Sequence, residues 1–328
     1  MILNTTSLRN FAGGLVYTLC TGYILAYFSE WTFWLGLERT TPLDEYIGTW
    51  LFYSFATFLA LIALHYYRAR TVWVIFLCGA LYGWITEGII VQTMYDALPL
   101  SISVTGLQWH ALISVVFGWF YLRRWLMTSD RWTLIGAVGT GLFYAMWSTG
   151  WWFNAEPQAT TLDVALSMTV YTLLLTVAYA VVARLGDAVF IPTQRAIIGG
   201  LVGLVILFAF AVLAQPLALI VFPLCAAFVL IFLRINRRVE TGPHQLPAHS
   251  IPLRRLLYLL LIPLIVALIY ALADSAGFPQ LAEPDEEGAP FPLAPFIYLV
   301  LLIAGFGVLF YSAWRVWRIS SNAQEKVN

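Results

Sequence analysis

Apolar residues occupy this chain in long, nearly unbroken blocks, not in the narrow stripe of a soluble amphipathic helix. A membrane-spanning helix needs about 20 predominantly apolar residues. Ten segments reach that length: 11–29, 48–67, 71–95, 107–126, 132–153, 163–185, 195–214, 216–235, 254–273 and 295–314. Only Gln215 and Pro216 part the seventh and eighth, so 195–235 reads either as two spans or as a re-entrant hairpin. Some starts carry helix-entry chemistry. Thr41-Pro42-Leu43-Asp44 offers an N-cap hydroxyl, a proline at the first helical position and an acid in the first turn. Thr161 ahead of Asp163 reads the same way for the sixth span. The first span runs into Glu30-Trp31 without a small-residue cleavage site, so it is expected to be retained.

Composition sharpens the picture. Hydrophobic residues make up 61% of the 328, and charged residues only 10%, against about 25% in a soluble domain. Seventeen basic residues balance seventeen acidic ones, and there are three cysteines. These values exclude a disordered chain, a nucleic-acid binder and a disulfide scaffold. The expected fold is all-α, a polytopic transmembrane helical bundle of about ten spans with the lipid bilayer as its main partner.

Cytoplasmic loops collect Lys and Arg. With the N-terminus inside, sixteen of the seventeen basic residues fall on the inner side and only Arg39 lies outside. The reading is therefore that both termini are cytoplasmic, in a plasma (cytoplasmic) membrane.

The chain divides unevenly. Twelve of its fourteen tryptophans precede residue 153, and the other two are Trp314 and Trp317. Residues 1–190 read as a six-helix subdomain rich in aromatic and polar residues. Residues 191–328 read as an apolar four-helix subdomain with a cytoplasmic tail, whose seventh to tenth helices offer a face to a membrane-protein partner. Gly199 with Gly203, and Ala137 with Gly141, have the small-residue spacing of close helix contacts. Pro223 and Pro263 fall inside spans and are expected to kink them. No inverted repeat is legible, because the long outer connections join non-equivalent helices.

Glu87 carries the strongest chemical signal. It lies well inside the third span with no Lys or Arg in any span interior. Such an acid either carries a proton or faces water, and its default reading is functional. Counted from the expected helix ends, His110 in the fourth span lies about 7–8 Å nearer the outer surface than Glu87. A side-chain or one-water bridge makes the two a candidate acid–base couple or proton relay. On a 100°-per-residue wheel Gly83, Trp84, Val91, Met94 and Tyr95 share the Glu87 face. Trp84, Tyr95, Asp96, Trp109, Trp147, Trp151 and Asn154, with Glu30, Trp31, Trp152 and Glu156 nearby, are expected to line an aromatic-walled, acidic outer pocket suited to an apolar or cationic ligand. The stretch 96–106 is a candidate lid.

Other groups carry less. His65 sits near the opposite membrane face, and His244 and His249 lie in a proline-containing inner loop. Cys20, Cys78 and Cys225 read as small buried apolar residues. The acidic outer stretch 274–294 lacks the ligand spacing of a calcium loop. No metal or cofactor motif is legible. The first functional reading is an enzyme acting on a lipid or isoprenoid-like substrate from the outer leaflet, with Glu87 and His110 catalytic. The alternatives are a small, proton-coupled secondary transporter and a structural or assembly subunit of a membrane complex.

Overall fold

The computed structural model describes residues 5–33, 42–151, 159–239, 245–276 and 293–325. Among them are ten long helices. α1 is Thr5–Ala26 prolonged by Tyr27–Trp31, α2 is Leu43–Tyr66, and α3 is Val72–Ile85 prolonged by Thr86–Ile90. α4 is Ile102–Leu122 prolonged by Arg123–Thr128, α5 is Asp130–Trp151 and α6 is Thr161–Leu185. α7 is Gln194–Ala214, α8 is Ala218–Val239, α9 is Leu253–Ser275 and α10 is Leu293–Glu325. No strand occurs among the described residues.

Nine of these helices are long and apolar enough to cross a membrane. α5 has the length, but its glycines, serines and threonines lower its hydropathy. Its apolar side groups are exposed to match: Leu142 is 51% exposed and Met146 64%. Such a surface is stable only in hydrocarbon, so the protein is an integral, multi-pass membrane bundle.

The helix ends correct several expectations. α7 and α8 are separate helices of 21 and 22 residues, each roughly 30 Å long, so 195–235 is not a re-entrant hairpin. α3 ends at Ile90, not at residue 95, because Gln92 takes a left-handed backbone conformation (φ 72°) and the chain folds back through Thr93–Tyr95. α4 starts at Ile102, five residues early, and Leu100 and Ser101 are already helical. The 96–106 stretch is therefore a tight turn and a helix start, not a lid. The N-cap of α6 is Thr160, one residue before the expected Thr161. At α2 the proline stands at the cap, not at the first helical position, and Thr41 lies outside the described residues. Pro263 interrupts α9 one turn upstream, at 259–260, whereas α8 runs through Pro223 unbroken.

The Thr160 cap is reciprocal. The Asp163 amide donates to Thr160 Oγ1 (3.3 Å) and the Thr160 amide to Asp163 Oδ2 (2.9 Å). Thr160→Ala is expected to destabilise the fold by about 1 kcal/mol, measured by detergent-denaturant unfolding; an unchanged midpoint would remove the cap from the stability account.

α3 is the axis of the bundle: every residue from 74 to 89 is buried. α4, α2, α8 and α10 pack around it, and α9 lies against α5 and α6. Small residues set the closest crossing. Cβ atoms added at Gly79 and Gly83 would meet α4 backbone at Ala111 and Gly106. Gly200 and Gly203 admit Phe58 and Phe55 of α2, while Gly199 faces open space. Gly141 seats Ile265 of α9.

One end of the bundle is locked by a buried ion pair. Arg123, 1% exposed, donates to both Asp187 oxygens (2.7 and 3.0 Å) and to the Tyr17 hydroxyl (2.9 Å). Its guanidinium lies 4.5 Å from the centre of the Trp119 ring. The Leu246 amide donates to Asp187 Oδ2 (2.9 Å) and the Asp187 amide to the Leu246 carbonyl (3.1 Å), strapping the α8–α9 connection across this end. Counted from sequence as a loop cation, Arg123 is instead inside the packing. At the starts of α5 and α9, Arg254 and Arg255 hold Asp130 at 2.6 and 2.5 Å.

A candidate intramembrane carboxylate–imidazole centre

Three ionisable side chains from three helices converge inside the bundle. Glu30 of α1, Glu87 of α3 and His110 of α4 each place a donor atom within 4.8 Å of the other two. His110 Nε2 lies 2.6 Å from Glu87 Oε1. The other Glu87 oxygen accepts the Thr93 hydroxyl, and a Glu30 oxygen accepts the Tyr53 hydroxyl. Glu87 and His110 are buried, and Glu30 is half-buried.

The backbone explains why these residues meet. All three lie in π-wound stretches: Glu30 in Tyr27–Trp31, Glu87 in Thr86–Ile90 and His110 in Ile102–Leu122. Bonds such as Val91 amide to Thr86 carbonyl (2.8 Å) span five residues. A wider turn rotates the side chains that follow off the ordinary helical face, and such turns recur at functional sites. The Gly83–Gly106 crossing then brings α3 and α4 into backbone contact one turn from Glu87, with the Trp84 indole donating to the Ile102 carbonyl at 3.2 Å.

Aromatic rings hold the imidazole. Tyr82 meets it edge-on, with centroids 5.6 Å apart, and Tyr53 flanks it at 5.9 Å. His110 Nδ1 is buried with no hydrogen-bond partner. The donors around the carboxylates are therefore the Tyr53 and Thr93 hydroxyls and one imidazole N–H. No Lys or Arg among the described residues pairs with either carboxylate.

The predicted pocket residues do not assemble as one wall. Trp109 and Trp147 do pack together, 5.1 Å apart and edge-on, with Phe33 at 4.7 Å from Trp109. Trp84 is buried against Gly106 and serves the α3–α4 crossing. Tyr95 is off α3; its hydroxyl donates to the Gly88 carbonyl at 2.8 Å. Asp96 is exposed in the turn, its amide donating to the Thr93 carbonyl at 3.2 Å. Asn154, Trp152, Glu156, His244, Arg39 and Lys326 lie outside the described residues, as do most of 274–294 and the Trp151 side chain.

His110 is not nearer the outer surface than Glu87 as estimated, because α4 starts early: His110 lies eight residues inside α4, with its Cβ beside Gly83, one turn before Glu87. Sequence reasoning placed Glu30 on the rim and passed over Tyr53, Tyr82 and Thr93. It also passed over Gly79, whose four-residue spacing from Gly83 was a readable sign of the α3–α4 crossing.

An apolar cavity of about 360 Å³ lies between α4 and α5, walled by Phe28, Ile113, Phe117, Trp125, Phe143 and Tyr144 among others. None of Glu30, Glu87 and His110 lines it. Beside the centre α3 and α4 are in backbone contact at Gly83 and Gly106. Comparison with protein-family models, with curated proteins and with solved structures finds no match for the chain.

Proposed function

We propose that the protein is a small secondary carrier of the plasma membrane, with the Glu30–Glu87–His110 centre as its cation site. One observation carries this reading: two carboxylates and an imidazole meet within 4.8 Å of one another inside the bundle. Ionisable groups at membrane depth mark ion and substrate pathways. Glu87 and His110 are in direct contact beside the Gly83–Gly106 crossing, which suits a small cation better than a lipid and favours a carrier over a lipid enzyme. Both termini are cytoplasmic in this reading, from the count of Lys and Arg. Glu30 then lies toward the outer side and the Arg123–Asp187 lock toward the inner side.

The test is ion flux through purified protein in liposomes. Vesicles are loaded with Na⁺, K⁺, Mg²⁺, Mn²⁺ and Zn²⁺ and a pH-sensitive dye, and the retained ions are measured by elemental mass spectrometry. At least one cation is expected to leave more than tenfold faster than from protein-free vesicles. Glu87→Gln keeps the size of the side chain and its bonds to Thr93 and His110 but removes the charge. It is expected to return the rate to the protein-free value. Wild-type flux equal to that of empty vesicles for every ion, protons included, would sink the proposal.

A further inference from the structure

We infer that Glu30, Glu87 and His110 bind one divalent first-row transition-metal ion. This deepens the carrier reading by naming its cation.

Three independent features lead there. The first is charge. Ionised together beside a neutral imidazole, the two carboxylates would sum to −2, and no described Lys or Arg is paired with them. Uncompensated charge in a low-dielectric interior is costly. One divalent ion cancels −2 outright, whereas Na⁺ or K⁺ leaves a net charge.

The second is the donor set. Oxygen-only sites suit Mg²⁺ and Ca²⁺, while imidazole together with carboxylate suits Zn²⁺, Fe²⁺ and their neighbours. The His110 ring nitrogen faces the Glu87 carboxylate at 2.6 Å, not a backbone carbonyl.

The third is geometry. Donors on one Zn²⁺ lie about 2.0–2.2 Å from the metal, so tetrahedral neighbours are roughly 3.4 Å apart. The three donor atoms lie within 4.8 Å of one another, and an entering metal would replace the 2.6 Å hydrogen bond between His110 Nε2 and Glu87 Oε1. Ligating carboxylates are usually oriented by hydrogen bonds from an outer shell, and the Tyr53 and Thr93 hydroxyls already stand in that position. The Tyr53 and Tyr82 rings fix the imidazole plane where a hydrogen bond from Nδ1 would otherwise do so. Thr93 can occupy this position only because α3 ends at Ile90 and folds back, so the outer shell belongs to the site's own backbone design.

Zn²⁺ is the probe. Chelator-stripped protein in mild detergent is equilibrated with Zn²⁺, and metal per chain is measured together with zinc-edge X-ray absorption. The expected result is one Zn²⁺ per chain with nitrogen and oxygen neighbours. Glu30→Gln, Glu87→Gln and His110→Ala are each expected to weaken binding at least tenfold. His110→Cys restores a ligand of different shape and is expected to recover binding with a sulfur neighbour, which a packing role for His110 would not produce. Asp274→Asn, at the exposed end of α9, is expected to bind as wild type. Zinc binding that is absent from the wild type, or that persists unchanged in the three centre variants, overturns the inference. If zinc fails to bind while Glu87→Gln still abolishes ion flux, the metal assignment falls and the carrier stands. If zinc binds at the centre but no ion crosses the vesicles, the site stands and the carrier falls.

Discussion

Asp187→Ala is expected to cost about 3–5 kcal/mol of stability, because it strands the Arg123 guanidinium inside the bundle. Arg123 is 1% exposed, and Asp187 supplies both of its carboxylate bonds. The Tyr17 hydroxyl and the Trp119 face remain, but neither carries a compensating negative charge. The loss also frees the Leu246 amide, so the α8–α9 connection is released from this end. Equilibrium unfolding in mixed micelles, followed by tryptophan fluorescence, measures the effect. The double variant Arg123→Met with Asp187→Leu separates two causes. Removing both charges at once leaves no orphan, so most of the loss is expected to return. A single variant within about 0.5 kcal/mol of wild type would mean that water reaches the guanidinium and that the lock is a surface pair.

Gly83→Val is the second large effect, and it acts on stability and site together. Even a Cβ at position 83 would strike the Gly106 carbonyl and come within 2.9 Å of His110 Cβ. Neither is the end of a flexible side chain, so α3 and α4 must part. Overpacking of this kind typically costs about 1–3 kcal/mol, and a branched side chain against backbone belongs at the upper end. Because the same crossing holds Glu87 on His110, zinc binding is expected to fall at least tenfold in parallel. Gly199→Ala provides the contrast. Nothing lies within 4 Å of a Cβ there, so stability is expected to stay level or rise by up to about 1 kcal/mol from helix propensity. Equal losses in the two variants would show that the Gly83 effect is not specific to the crossing.

Glu87 and His110 show how far one-dimensional reasoning reaches. An acid with no basic residue in any span interior is visible in the sequence, and so is a histidine in the next span. Their contact depends on where α3 stops and α4 starts, which no hydropathy window resolves. Three π-wound segments and the left-handed Gln92 decide it. Those deviations follow from how the helices pack, and a pattern based on 3.6 residues per turn does not contain them. The face-sharing expected for Tyr95 failed for the same reason: position 95 is no longer on the helix.

By itself the sequence determined the class of this protein. Long apolar blocks can satisfy their backbone in hydrocarbon only as helices, so an all-α multi-pass bundle follows from hydropathy alone. Which residues make a site was decided only by tertiary structure. Glu30 reads as a rim acid and Arg123 as a loop cation, because burial and pairing are properties of neighbours distant in the chain. Glu30 is 57 positions from Glu87 and 80 from His110, and Arg123 is 64 from Asp187. Helix crossings set by single glycines, not local preference, bring these groups within reach of one another.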